Sequence, residues 1–199
     1  AIIPVDNQNP TSKFRLICYE PTSTVGYHTY ELISACDSTV ITITPASDIF
    51  NHPDSVPQNN PSHLAQIPFN VTLNRGETYK LFSAFPLTGT NIDVVSSGVN
   101  VPLSVYAMFP PLFVPDTADC CADMLFEQLL PIEWWDTLVP VPILPYCTDV
   151  VLRIIPAMDG TDVFFDNTYI ATLNTSSMID TLIDQSIVVH ASKPLAVAR

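Results

Sequence analysis

Proline sets the grain of this chain: nineteen prolines stand against five glycines. Proline has no backbone N–H to donate and is excluded from helix interiors and central strands. At this density it punctuates short strands and stiffens the connections between them. Apolar residues make up 47% of the 199 positions, enough to bury a substantial core as one domain or two small related ones. Long helices and parallel βαβ repeats are therefore poor fits, and short alternating strands are the expected unit.

Several stretches show that alternation. Residues 14–17 read as a first strand behind a loose N-terminal arm, and 27–33 as a second. Residues 39–44 alternate, with Val and Ile expected on the face opposite Thr, and Pro45 ends the run. Residues 46–67 hold several prolines and form a long loop. The run 69–73 leads to Asn74-Arg75-Gly76-Glu77, where Gly76 suits the positive φ of a tight hairpin, and 78–82 is the expected return strand. Residues 92–95 and 101–108 complete the first half. In the second half, 150–155, 162–165 and 168–173 read as strands, with Asp166-Asn167 suited to a two-residue type I′ turn.

The second half echoes the first. Pro156-Ala157-Met158-Asp159 matches Pro45-Ala46-Ser47-Asp48, and Thr172-Leu173-Asn174 matches Thr72-Leu73-Asn74. Pro194-Leu195-Ala196-Val197 matches Pro102-Leu103-Ser104-Val105. Three matches in one order indicate an internal duplication. The expected fold is all-β: antiparallel sheets built from two related β units, sandwich-like or, alternatively, propeller-like blades. Residues 1–24 are an arm and first strand, 25–110 the first β unit, 111–148 a Cys/Trp connecting segment, and 149–199 the second β unit. Only the connecting segment hints at helix. Cys121, Met124, Leu125, Gln128 and Leu129 recur at helical spacing, and Pro131 limits any helix near 121–130 to two turns.

Charge narrows the function. Charged residues are only 14%, where about 25% is usual, which points to a surface partly covered by sugar or neighbouring protein. The net charge of −13 and seven scattered basic residues exclude nucleic acid and anionic membrane as partners. No apolar run reaches the roughly 18 residues of a membrane span. The chain starts at Ala1 and stops at Arg199 just after a strand-like run, as expected of an excerpt or processed segment of a longer polypeptide.

Cys18, Cys36, Cys120, Cys121 and Cys147 match no zinc spacing, so they are disulfide candidates, with one left over to pair elsewhere or stay free. Cys36 is expected to bond Cys18 or a central cysteine, and Cys147 to bond Cys120 or Cys121. The sequons at Asn70 and Asn174 are glycosylation candidates and agree with export. No phosphate-cradling loop, nucleophile elbow or His-Glu metalloprotease pair is present. His28, His52, His63 and His190 stand alone in sequence. Glu127 and Glu133 are a poor match to a glycosidase pair, and Asp159-Gly160-Thr161-Asp162 reads as a β-turn rather than a Ca²⁺ loop. The expected protein has no catalytic residues, no metal and no cofactor. Trp134 and Trp135 are candidate ligand or interface aromatics, and on an extended backbone only one of them faces solvent.

Five segments carry a resemblance: Glu31–Cys36 with the 39–45 strand, Leu73–Tyr79, Leu87–Ile92, Glu127–Pro131 followed by Trp135, and Lys193–Val197. Over about residues 25–199 the chain resembles the IgGFc-binding N-terminal domain family of secreted mucin-associated and microbial surface proteins. The resemblance implies an extracellular adhesive or structural module. The leading reading is a non-catalytic module such as the repeating subunit of a surface fibre or matrix, assembling by β-strand addition. Its partners would be copies of itself or other extracellular proteins. The alternative is a ligand-binding module for glycan or immunoglobulin Fc, using the 46–67 loop and a tryptophan.

Overall fold

The computed structural model describes residues 13–17, 19, 27–51, 61–95, 103–112, 123–143 and 150–199. Most of the N-terminal arm, the middle of the 46–67 loop, and Cys18, Cys120, Cys121 and Cys147 lie outside the described residues. The chain divides into two compact units, residues 1–133 and 134–199. Residues 123–133 of the Cys/Trp segment thus fall in the first unit, and 134–143 in the second.

In the first unit the strands are β1 (Lys13–Arg15), β2 (His28–Ser34), β3 (Thr39–Thr44), β4 (Phe69–Leu73), β5 (Thr78–Ser83), β6 (Asn91–Val94), β7 (Leu103–Leu112) and β8 (Asp123–Gln128). They form two four-stranded sheets, ordered β1-β6-β3-β4 and β5-β2-β7-β8. Ile41, Ile43, Leu73 and Ile92 from the first sheet join Tyr30, Leu32, Leu81 and Val105 from the second in one buried cluster. That is a sandwich. Propeller blades would run consecutive strands side by side, and these orders do not.

The alternation in β3 has the expected period but a different composition of faces. Thr39 points inward with Ile41 and Ile43, while Val40 lies outward with Thr42 and Thr44. The buried Thr39 hydroxyl donates to the Cys36 carbonyl at 3.0 Å and lies 2.6 Å from Ser34 Oγ. A satisfied hydroxyl loses little by burial, so threonine is tolerated in the core.

The expected hairpin at Gly76 is a corner instead. Gly76 has φ +78° as the turn requires. However, β4 ends one sheet and β5 ends the other, so the chain crosses between layers rather than pairing back on itself. The helical spacing is likewise not realised over residues 123–128, the described part of that stretch. β8 pairs antiparallel with β7, placing Phe126 opposite Met108 and Gln128 opposite Tyr106. A two-turn helix is marginal in water, whereas a ladder with β7 satisfies the same backbone groups at once. Pro110 and Pro111 fall where that ladder breaks, between Phe109 and Leu112, as residues lacking an N–H must.

The second unit contains β9 (Asp136–Val141), β10 (Val150–Pro156), β11 (Thr161–Phe165), β12 (Thr168–Leu173), β13 (Ile179–Ile183) and β14 (Ile187–Ala198). The sheet order is β12-β11-β14-β10-β13, with β9 also paired to β14. β14 pairs β11 through Val189–Ala191 and β10 through Leu195–Ala198. Pro194 sits in the gap between those partners. Leu152, Ile154, Val163, Leu173, Val189 and Leu195 form the unit's own core. At Asp166-Asn167 only Asp166 takes positive φ, +52°, which is the type II′ pattern rather than type I′. Asp166 is held there by bonds to the Val188 backbone: its N–H donates to Val188 O at 2.8 Å, and its carboxylate accepts from Val188 N at 3.0 Å.

Candidate functional site

The sequence-predicted residues scatter. Trp134 closes a 3₁₀ turn (Ile132–Trp134) and is 44% exposed, while Trp135 is 9% exposed. One tryptophan thus faces solvent and its neighbour is buried. Glu133, on the same turn, accepts a hydrogen bond from the Lys13 backbone N–H at 3.2 Å and so anchors β1. Glu127 lies on β8, opposite Ala107 of β7. Cys36 is the one cysteine within the described residues, partly buried against the first core. Its carbonyl and N–H are both engaged by the Ser34–Thr39 turn.

The sequon asparagines occupy different settings. Asn70 is exposed on β4, and its side-chain Oδ1 accepts from Thr42 Oγ1 at 2.9 Å. Asn174 is part of a corner: its Oδ1 accepts from Gly160 N at 3.0 Å and its own N–H donates to Ser177 Oγ at 2.9 Å. Asp159 accepts from Thr175 N and Thr175 Oγ1, both at 2.7 Å. These bonds define a turn clamp, in keeping with the turn reading of 159–162. Among the described residues no group of three or more His, Cys, Asp and Glu side chains gathers at metal-binding distance.

Of the histidines, His28 is buried edge-on against Phe109, with ring centroids 5.3 Å apart. His63, from the described part of the 46–67 loop, stacks face to face on Phe69 at 3.5 Å and lies 3.5 Å from the Tyr79 hydroxyl. Burial holds the imidazole below the usual value of 6.5 and raises the Tyr79 phenol above 10.0, so both are neutral at pH 7. A neutral, stacked histidine bonded to a phenol pins the loop to the edge of the sandwich. His190 sits on β14, between Phe164 of β11 and Leu138 of β9.

Two exposed apolar regions were not singled out in the sequence. On the first unit, Phe126 stacks on Tyr106 at 5.4 Å, and both Phe126 and Met124 are exposed. On the second unit, β12 ends the sheet with Thr168, Tyr169 and Ile170 all exposed and carries no charged side chain. Period-2 patterning could have flagged both, but it cannot say which strand lies at an edge. No helix of the described residues is long and apolar enough to cross a membrane.

No curated protein and no solved structure matches the chain. A family model described as IgGFc binding protein matches residues 2–199, extending beyond the resemblance over about residues 25–199, and the chain belongs to that family.

Proposed function

We propose that this protein is a non-catalytic extracellular module, structural or adhesive, that associates with like molecules by β-strand addition at β12. The observation that carries this reading is the β12 edge. A terminal strand offers a row of backbone donors and acceptors to any extended segment, and proteins that avoid pairing usually guard such strands with charge. β12 (Thr168–Leu173) has no charged residue and three consecutive exposed positions. Membership of the IgGFc binding protein family and the low content of charged residues support an extracellular setting. Sugar at Asn70 and Asn174 and cysteine cross-links belong to the same reading.

Lys13–Arg15 of the N-terminal arm pair with β6 of the same chain and so are not a strand donated to a neighbour. The test is light scattering across a concentration series. The expected result is growth beyond the monomer that Ile170→Lys suppresses, because a lysine on the edge opposes strand pairing. A chain that stays monomeric at high concentration sinks the proposal. A second reading, binding of glycan or immunoglobulin Fc, draws on the family description and the exposed Trp134. It is supported if Fc capture occurs and is lost in Trp134→Ala.

A further inference from the structure

The outer face of the second unit carries a row of four side chains from four adjacent strands. Cross-strand pairing aligns Tyr169 (β12) with Phe164 (β11), Phe164 with His190 (β14), and His190 with Leu138 (β9). Directly opposed residues of antiparallel strands point to the same side, so these four share one surface. Three strand spacings make the row roughly 14 Å long. Tyr169 is 55% exposed and Leu138 is 51% exposed, although both belong to regular strands.

The exposed tyrosine is fixed rather than free. Its hydroxyl lies 2.9 Å from Thr172 Oγ1, and that hydroxyl donates to Asp162 Oδ1 at 2.5 Å. Threonine has one proton to give and it goes to the carboxylate, so the Tyr169 O–H must be the donor to Thr172. The Asp162 N–H in turn donates to Ser192 Oγ at 2.8 Å, which ties the carboxylate's own strand to β14. The Tyr169 ring stands edge-to-face with Phe164, centroids 5.6 Å apart and planes at 69°. Two features follow. The aromatic surface is held in place before any ligand arrives, so little rotamer entropy remains to be lost on binding. The second carboxylate oxygen of Asp162 and the lone pairs of the Tyr169 oxygen are acceptors beside that surface.

We infer that this face is a carbohydrate platform for neutral glycans, with Tyr169 and Phe164 packing on the apolar C–H face of a sugar ring and Asp162 accepting from its hydroxyls. A sugar presents an apolar face with O–H donors around its rim, and the row offers an apolar surface flanked by acceptors. Charge selects among glycans. A chain of net charge −13, with a carboxylate at the platform, repels sulfated and sialylated chains and leaves neutral ones. The inference shares only the class of ligand with the glycan-or-Fc reading. It uses the sheet face, not the β12 edge or Trp134.

The test is a glycan array carrying neutral, sialylated and sulfated oligosaccharides, probed with the full chain and followed by calorimetry on the best neutral binder. Retention of neutral glycans is expected, with affinity falling at least tenfold in Tyr169→Ala and severalfold in Asp162→Asn. Tyr169→Phe, which keeps the ring and the fold, is expected to lose less than Tyr169→Ala. Ile170→Lys is expected to retain glycan binding while blocking assembly, which separates this inference from strand addition. Binding of no neutral glycan, preference for sulfated chains, or full binding by both Tyr169→Phe and Asp162→Asn overturns it. Loss of glycan binding in Trp134→Ala alone also overturns it and returns the ligand to the tryptophan.

Discussion

The two units are built on one strand plan and differ in how they close it. In the first, β5-β2-β7 and β4-β3-β6 are three-stranded sets in separate sheets. In the second, β13-β10-β14 and β12-β11-β14 are the same sets, with the single strand β14 standing where β6 and β7 stand in the first. The corners agree in detail. Asn74 Oδ1 accepts from Ser38 N at 3.2 Å, as Asn174 Oδ1 accepts from Gly160 N at 3.0 Å. Asp37 accepts from Arg75 N at 3.0 Å, as Asp159 accepts from Thr175 N at 2.7 Å. Ser38 and Gly160 both take positive φ, +55° and +64°. The lesson is that the clamp, more than the side chains of the sheets, carries the repeat.

The contrast lies in what is attached to this frame. Residues 45–68 separate β3 from β4, whereas Asp166-Asn167 alone separate β11 from β12. One cross-strand ion pair is inverted. Glu31 faces Lys80 across β2 and β5 at 3.9 Å, and at the matching place Arg153 faces Asp180 across β10 and β13 at 2.5 Å. Opposite charges occupy this place in both units, in opposite order.

Three measurements would break or sharpen this equivalence. The largest effect concerns Leu73 and Leu173, which immediately precede the clamp asparagines Asn74 and Asn174 and are each 5% exposed. Leu73→Ala and Leu173→Ala should each destabilise its own unit by about 3 kcal/mol through lost burial and a residual cavity. Hydrogen exchange resolves the units separately, and a loss confined to one of them would show that the likeness is topological only.

The inverted ion pair comes next. Arg153 has a side chain only 7% exposed against 45% for Asp180, and it bonds the carboxylate through both Nε and an Nη. Asp180→Ala is expected to cost about 2 kcal/mol, because it strips a nearly buried cation of a bidentate partner. Lys80→Ala, at a looser and more exposed pair, should cost less than about 1 kcal/mol. The exchange Arg153→Glu with Asp180→Lys copies the first unit's order and should recover part of the loss, measured by urea unfolding. No recovery would mean that the site demands arginine.

The smallest effect is a pH dependence of the first unit. His63 has its folded-state value lowered by burial, so the folded state favours the neutral ring. Its contribution is present above pH 6.5 and is lost as pH falls through the lower folded-state value. Stability of the first unit should therefore decline on acidification below that point, and His63→Phe should flatten the decline. An unchanged profile in the variant would assign the decline to other groups.

Much of this architecture was legible beforehand, and the failures have physical causes. The positions of β1–β7 and β10–β12 and the all-β class followed from period-2 patterning and proline placement, whereas β8, β9, β13 and most of β14 were not read as strands. Two of the three repeat matches name equivalent residues. The first match did not. Asp159 plays the part of Asp37 rather than Asp48, whose carboxylate instead accepts from Ala65 N. A proline and an aspartate are common turn residues, so their spacing alone misaligned the copies. The platform went unnoticed because Leu138, Phe164, Tyr169 and His190 lie on four strands and no linear pattern joins them.

Sequence by itself settled what is local. A proline forbids a donor, an alternating run prefers a pleat, and a glycine such as Gly76 permits a backbone turn that other residues resist. The tertiary structure alone decided what is shared between distant segments. It chose a strand over a short helix at 123–128, sent the Asn74–Glu77 corner between sheets, and placed β12 at an edge. Those outcomes depend on which backbone groups find partners and which side chains are left outside once the sheets assemble, and both are properties of the assembled sheets rather than of any one stretch of chain.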